Sequence, residues 1–196
     1  MTATEAPPLE LDEIQGIVLR SRPSPYVGTY ILLRVDDPGS GRELMGRLAG
    51  LVDSAANWWQ PPLPALLNVA VTYRGLEALQ VPPASLSSFP EEFRQGMAAR
   101  AGLLGDTGES APAHWEPPFG TGQVHLVLSL VAADQESLAV VLERARQARV
   151  QLPGVQVVYR QELYLWSGSQ ALCDSRKNPE DTRRHMLEGW VKVYQP

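Results

Sequence analysis

Three histidines (His114, His125 and His185) and one cysteine (Cys173) are the residues of this 196-residue chain best suited to chemistry. An imidazole binds a transition metal or moves a proton near neutral pH, and a thiolate attacks or ligates. A lone cysteine excludes an internal disulfide and any Cys-based zinc cluster. Asp106, Glu109 and His114 invite a metal reading, but their spacing fits no recognised ligand pattern and the segment is Gly-rich. Solvated loop groups are expected there. No Ser-His-Asp order, phosphate-cradling loop or zinc spacing occurs. Trp58-Trp59 and Trp115 have the chemistry to carry electrons or meet partners. Beside Pro-rich turns they are expected to pin loops, because each ring buries a large apolar area.

The elements that must position these residues follow from apolar spacing. Strands are expected over Ile14–Arg20, Thr29–Val35, Leu66–Tyr73, Val124–Val131 and Val155 to Leu163. Helices are expected over Arg42–Ala55, Arg74–Leu79, Glu91–Leu104 and Gln135–Ala148, the last with Leu138, Val141, Leu142 and Ala145 on one face. Residues 106–122, rich in Gly and Pro, read as a long ordered loop. Without the inserted helices the order is strand, helix, strand, strand, helix, strand. That is the α+β, ferredoxin-like pattern: a four-stranded antiparallel sheet with helices on one face. Residues 9–165 form this domain, residues 1–8 a flexible N-terminus and residues 166–196 a separate tail.

Alternation divides each strand between two faces. Ile31, Leu33, Val35, Leu67, Val69, Val71, Tyr73, Val124, Leu126, Leu128, Leu130, Val155, Val157 and Tyr159 form an almost wholly apolar set that belongs under the helices. The other set is mixed, with Tyr30, Leu32, Arg34, Asn68, His125, Val127, Ser129, Val158 and Arg160. It holds too much apolar area to stand open to water. A second copy of the chain, or the tail folding back, is expected to cover it.

Hydrophobic and charged fractions of 44% and 20% are those of an ordinary globular chain. A formal charge of -5 gives no basic footprint for nucleic acid. Residues 1–8 carry no basic and apolar leader pattern, and no apolar run reaches bilayer length, so a cytoplasmic protein without a membrane partner is expected.

Three stretches carry a family resemblance. Leu11-Asp12-Glu13-Ile14-Gln15-Gly16-Ile17-Val18-Leu19, Asn68-Val69-Ala70-Val71-Thr72-Tyr73-Arg74-Gly75-Leu76, and Phe89 to Arg100 running on to Leu104-Gly105-Asp106 resemble the opening of the DyP-type (dye-decolourising) haem peroxidases. The resemblance covers residues 9–160 and implies one of two ferredoxin-like halves that pack together. It also implies haem as cofactor, with a Gly-x-x-Asp-Gly segment, a distal Asp and Arg, and a ligand His in the later half. Here the chain reads Ser167-Gly168-Ser169-Gln170-Ala171-Leu172-Cys173-Asp174-Ser175 instead, so no catalytic residue carries over. His125, with Arg34 and Arg160 beside it on the mixed face, is the remaining candidate for haem contact, against the commoner reading of a hydrogen-bonded histidine in a packed face. Three functions follow as expectations. The first is a peroxidase-related module, without haem of its own, that associates with itself or with a complementary half. The second is a haem peroxidase whose site is completed by dimerisation or by a second chain. The third is a small-molecule binder or enzyme of the dimeric ferredoxin-like type.

Overall fold

Strands β1 (Tyr26–Val35), β2 (Ala65–Val71), β3 (Leu126–Ala132) and β4 (Val155–Leu165) form one antiparallel sheet in the order β2-β3-β1-β4. The computed structural model describes residues 9–19, 26–57 and 64–165. The flanking segments 1–8 and 166–196, with Cys173 and His185, lie outside the described residues, as do Trp58 and Trp59. Helix α1 (Pro38–Ala49) joins β1 to β2, and α6 (Gln135–Ala148) joins β3 to β4. Between β2 and β3 lie α2 (Tyr73–Ala78), α3 (Pro83–Ser87), α4 (Glu91–Ala99) and α5 (Ala101–Leu104). The expected ferredoxin-like α+β fold is the one observed.

Local chemistry explains most boundaries. Helix α6 starts where the Asp134 carboxylate accepts the Ser137 N–H at 2.7 Å. Helix α1 starts four residues earlier than its apolar spacing suggests, because Asp37 caps it through Ser40 and Pro38 takes the first position. Its Arg47 reaches across to the Ala148 and Val150 carbonyls at the end of α6, at 3.0 and 2.8 Å. The helix expected over Glu91–Leu104 is broken: Gly96 has φ 73° and ψ 178°, and α5 begins afresh at Ala101. Under α1 and α6 sits the main core, with Leu33, Leu44, Leu48, Leu67, Leu126 and Leu130 almost fully buried.

The strand expected at Ile14–Arg20 is a single bridge from Gln15 to Ser54, followed by one 3-10 turn, Gly16–Val18. The Gln15 side chain, not a run of backbone, reaches the sheet. Its Nε2 donates to the Val69 carbonyl at 2.7 Å, and its Oε1 accepts the Val69 N–H at 2.8 Å. The Asp53 carboxylate accepts the Leu67 N–H at 3.4 Å. The open edge of β2 is thereby blocked by side chains rather than by another strand.

At the far end of β2 the chain turns into α2. Thr72 accepts the Gly75 N–H at 3.0 Å and donates to the Val124 carbonyl at 2.8 Å. A Cβ on Gly75 would collide with the His125 carbonyl, a backbone atom that cannot swing aside. Gly75→Ala should therefore destabilise the fold by about 2–3 kcal/mol or more, by the overpacking argument. Urea unfolding should show a lower midpoint with an unchanged slope.

Candidate functional site

The mixed face of the sheet is the place where the sequence candidates could meet. Cross-strand pairing aligns Ala70, Val127, Leu32 and Tyr159 in one row, and Asn68, Ser129, Tyr30 and Gln161 in the next. Val127, Leu32 and Tyr159 of the first row lie under the chain's own insertion between β2 and β3, while Ala70 stays exposed. Leu32, Trp115, Phe119 and Val124 are buried together, with Tyr30, Met97, Ala98, Val127, Val158 and Tyr159 packed against them. Phe119 meets Tyr159 edge to face at 5.2 Å. Trp115 donates its indole N–H to the Ser110 carbonyl at 2.8 Å, which fixes the loop that carries it. Each such buried apolar side chain contributes roughly 1.5–3 kcal/mol. Part of the face expected to need a second copy or the tail is thus covered from within. Val124, assigned by alternation to the helix side, packs with Leu32 on this face instead, because it precedes the start of β3.

A β-bulge decides where Arg160 goes. The register between β1 and β4 shifts at Leu32/Leu33, so that Leu33 faces Val157 while Leu32 faces Tyr159. Strict alternation puts Tyr159 under the helices and Arg160 on the mixed face. The extra residue, Val158, reverses both. Tyr159 joins the aromatic cluster, and Arg160 pairs across from Ile31 on the helix side, where it holds Glu162 at 2.7 Å. Arg160 and His125 are therefore not neighbours on one face.

Arg34 does lie near His125, at the rim of the mixed face. Its guanidinium is already engaged by Asp36, at 2.7 and 3.2 Å, and by the Gln123 side chain at 3.3 Å. The Arg34 hydrogen bond holds the Asp36 carboxyl below the usual carboxylate range.

His125 fills a gap in the sheet. Its Nδ1 accepts the Val35 N–H at 3.0 Å, where β3 no longer supplies a backbone acceptor. Its own N–H donates to the Leu33 carbonyl at 2.8 Å, and its carbonyl accepts the Thr72 N–H at 3.0 Å. An accepting Nδ1 places the ring proton on Nε2. Burial pushes the imidazole below its ordinary value, partly offset by the Gly122 backbone and Asp36. The ring is thus held neutral in the fold.

Among the described residues no three His, Cys, Asp or Glu side chains group as metal ligands, and His114 lies 3.3 Å from the Glu109 backbone carbonyl rather than joining Asp106. A cleft of ≈ 330 Å³ opens between α1, β2 and the Gln15 segment, lined by Asp12, Met45, Val52, Asp53 and Val69 among others. None of the sequence candidates lines it. Asn68, 6% exposed, has its Oδ1 3.4 Å from the Ile17 N–H, and its Nδ2 finds no partner among the described residues. That unpaired amide lies on the mixed face as alternation suggests, but no sequence pattern marks it as unpaired.

Residues 29–161 match the family model described as the DyP dimeric alpha+beta barrel domain. The chain belongs to this family. Solved structures give the same fold. DyP2 from Amycolatopsis sp. ATCC 39116 superposes with a TM-score of 0.70 at 22% identity, over 81% of this chain and 34% of that one. An ancestral D-type dye decolorizing peroxidase gives 0.69 at 23%, over 83% and 36%. A fungal DyP-type peroxidase from Auricularia auricula-judae gives 0.67 at 19%, over 84% and 35%. This DyP-type chain spans about a third of the length of those peroxidases. No curated protein matches it.

The two motifs at the head of the DyP resemblance are bonded to one another through Gln15 and Val69, and Thr72 of the second motif donates to the Val124 carbonyl just before β3. These bonds hold the domain together. Stability should carry the signature of His125. Its folded pKa is depressed below 6.5, so protonation favours the unfolded chain. The contribution is fully present above 6.5 and is lost as pH falls through the folded value. His125→Asn, whose Oδ1 replaces Nδ1 as acceptor, should remove that slope and keep stability at pH 8. His125→Ala should remove the slope and cost about 1 kcal/mol at pH 8. Denaturation at a series of pH values checks both.

Proposed function

We propose that this chain serves as a DyP-type scaffold half, a self-associating or partner-binding module without haem chemistry of its own. The observation that carries this reading is the state of His125. A metal on Nε2 needs the Nε2 lone pair, which forces the ring proton onto Nδ1 and against the Val35 N–H. Arg34 is engaged by Asp36 and Gln123, and Arg160 stands on the other face of the sheet. The three candidates do not fit a haem group. The apolar row that a planar macrocycle would need is taken up by Trp115 and Phe119.

A second reading, a small-molecule binder, has one observation in its favour. The unpaired Nδ2 of Asn68 lies in a row with Ser129 and Tyr30 on the mixed face. A ligand carrying a carbonyl or carboxylate acceptor would satisfy it. Among the described residues no helix is long and apolar enough to cross a membrane.

Titration of the purified chain with haemin tests the main reading. The expected result is the spectrum of free haemin at every ratio, and no peroxide-dependent dye oxidation above that of haemin alone. A sharp Soret band that saturates at one haem per chain, and that His125→Ala abolishes, would overturn it.

A further inference from the structure

We propose that the cleft between α1, β2 and the Gln15 segment binds a small aliphatic amine, its ammonium at Asp12 and Glu13 and its carbon chain along Met45 and Val52. The cleft lies on the helix side of the sheet, opposite the Asn68 row, so the proposal is independent of both readings above. Helix α1 turns Leu44 and Leu48 fully into the core. Met45 and Val52 stay only half-buried and line the cleft with Val69 and Val71 of β2, half-buried as well. No strand lies beyond β2 at this edge, where the Gln15 side chain takes its place. A side chain is narrower than a strand, and a gap of ≈ 330 Å³ remains.

The polar groups around the gap select the ligand. Both ends of the Gln15 amide are engaged by Val69. The Asp53 carboxylate accepts the Leu67 N–H, and its backbone carbonyl accepts the Gly16 N–H at 2.6 Å. The Ile14 carbonyl accepts the Ala55 N–H at 2.7 Å. The carboxylates of Asp12 and Glu13 are exposed and have no hydrogen bond or ion pair among the described residues. No lysine, arginine or histidine among those residues lines the cleft.

A ligand carrying negative charge would meet two carboxylates and no cation here. A neutral ligand would leave both carboxylates unmatched. An ammonium brings three donors and the opposite charge, and ionised carboxylates accept only. The half-buried side chains of the floor gain by covering with apolar carbon. The size of the gap favours a short molecule over a peptide. At ≈ 330 Å³ it stands at the lower end of the roughly 300–1,000 Å³ typical of small-molecule sites. A peptide adding to this edge as a strand would need the β2 backbone groups that Gln15 and Asp53 already hold.

Titration of the full, methyl-labelled chain with n-hexylamine, followed by nuclear magnetic resonance, tests this. The Met45, Val52, Val69 and Val71 methyl signals should shift together and saturate, with a Kd of about 1 mM or below. Hexan-1-ol and hexanoate, of the same chain length, should bind at least about threefold more weakly. Asp12→Asn with Glu13→Gln removes both charges and should bring n-hexylamine down to the level of hexan-1-ol. Ala49→Phe, at an exposed position on the cleft wall, should fill the gap and abolish the shifts. Far-UV circular dichroism confirms the fold of each variant. Shifts that never saturate, hexanoate binding as well as the amine, or binding unchanged in either variant would overturn the proposal. A lysine-containing peptide that binds the same methyls about tenfold more tightly than n-hexylamine would overturn the small amine in favour of a protein partner.

Discussion

The neutral imidazole of His125 ends the sheet, and the return of the chain from its insertion into β3 is pinned at this residue. Thr72 and Val124, hydrogen-bonded to each other, are 52 positions apart in sequence. The chain between them leaves the sheet at the end of β2 and must return to start β3. Closing such a loop costs entropy that grows slowly with its length, so the return point has to hold firmly. Residue 125 does this with its N–H on Leu33, its carbonyl on Thr72 and its ring on Val35, while Gly75 leaves room for the carbonyl. Were the ring charged, the Val35 N–H would lose its acceptor and β1 would lose its last bond toward β3.

That structural duty bears directly on function. The ring a haem reading would use is committed to a backbone amide, and the apolar surface around Leu32 is committed to Trp115 and Phe119. The insertion closes part of its own half of the DyP-type architecture. Burial of the Trp115 cluster follows from the topology: the insertion emerges beside β2 and folds across the face toward β1 and β4.

Much of this could be read from residue order. The apolar spacing of α6 gave both ends of that helix, and alternation separated the two faces of β1 and β3 correctly, Val124 before β3 excepted. The failures have physical causes. Period-2 reasoning has no means of placing a bulge, so it put Arg160 beside His125 and Tyr159 under the helices. Apolar spacing in Glu91–Leu104 was real, but a left-handed glycine at Gly96 outranks it. The covering of the mixed face by Trp115 and Phe119 is a long-range contact from a Gly- and Pro-rich loop, where periodicity carries no signal. Gln15 was visible within a motif, yet its use as a substitute strand depends on the position of Val69, which only the fold supplies.

The most direct test of the account is whether the insertion lies on the sheet in solution. Nuclear Overhauser contacts in the isotopically labelled chain measure this: Trp115 ring protons to the Leu32 methyls, and Phe119 to Tyr159. The account predicts both sets of contacts, together with slow exchange of the Trp115 indole N–H that donates to Ser110. Absence of both sets, with an indole proton that exchanges at the rate of free tryptophan, would contradict it and return the face to a ligand or a partner.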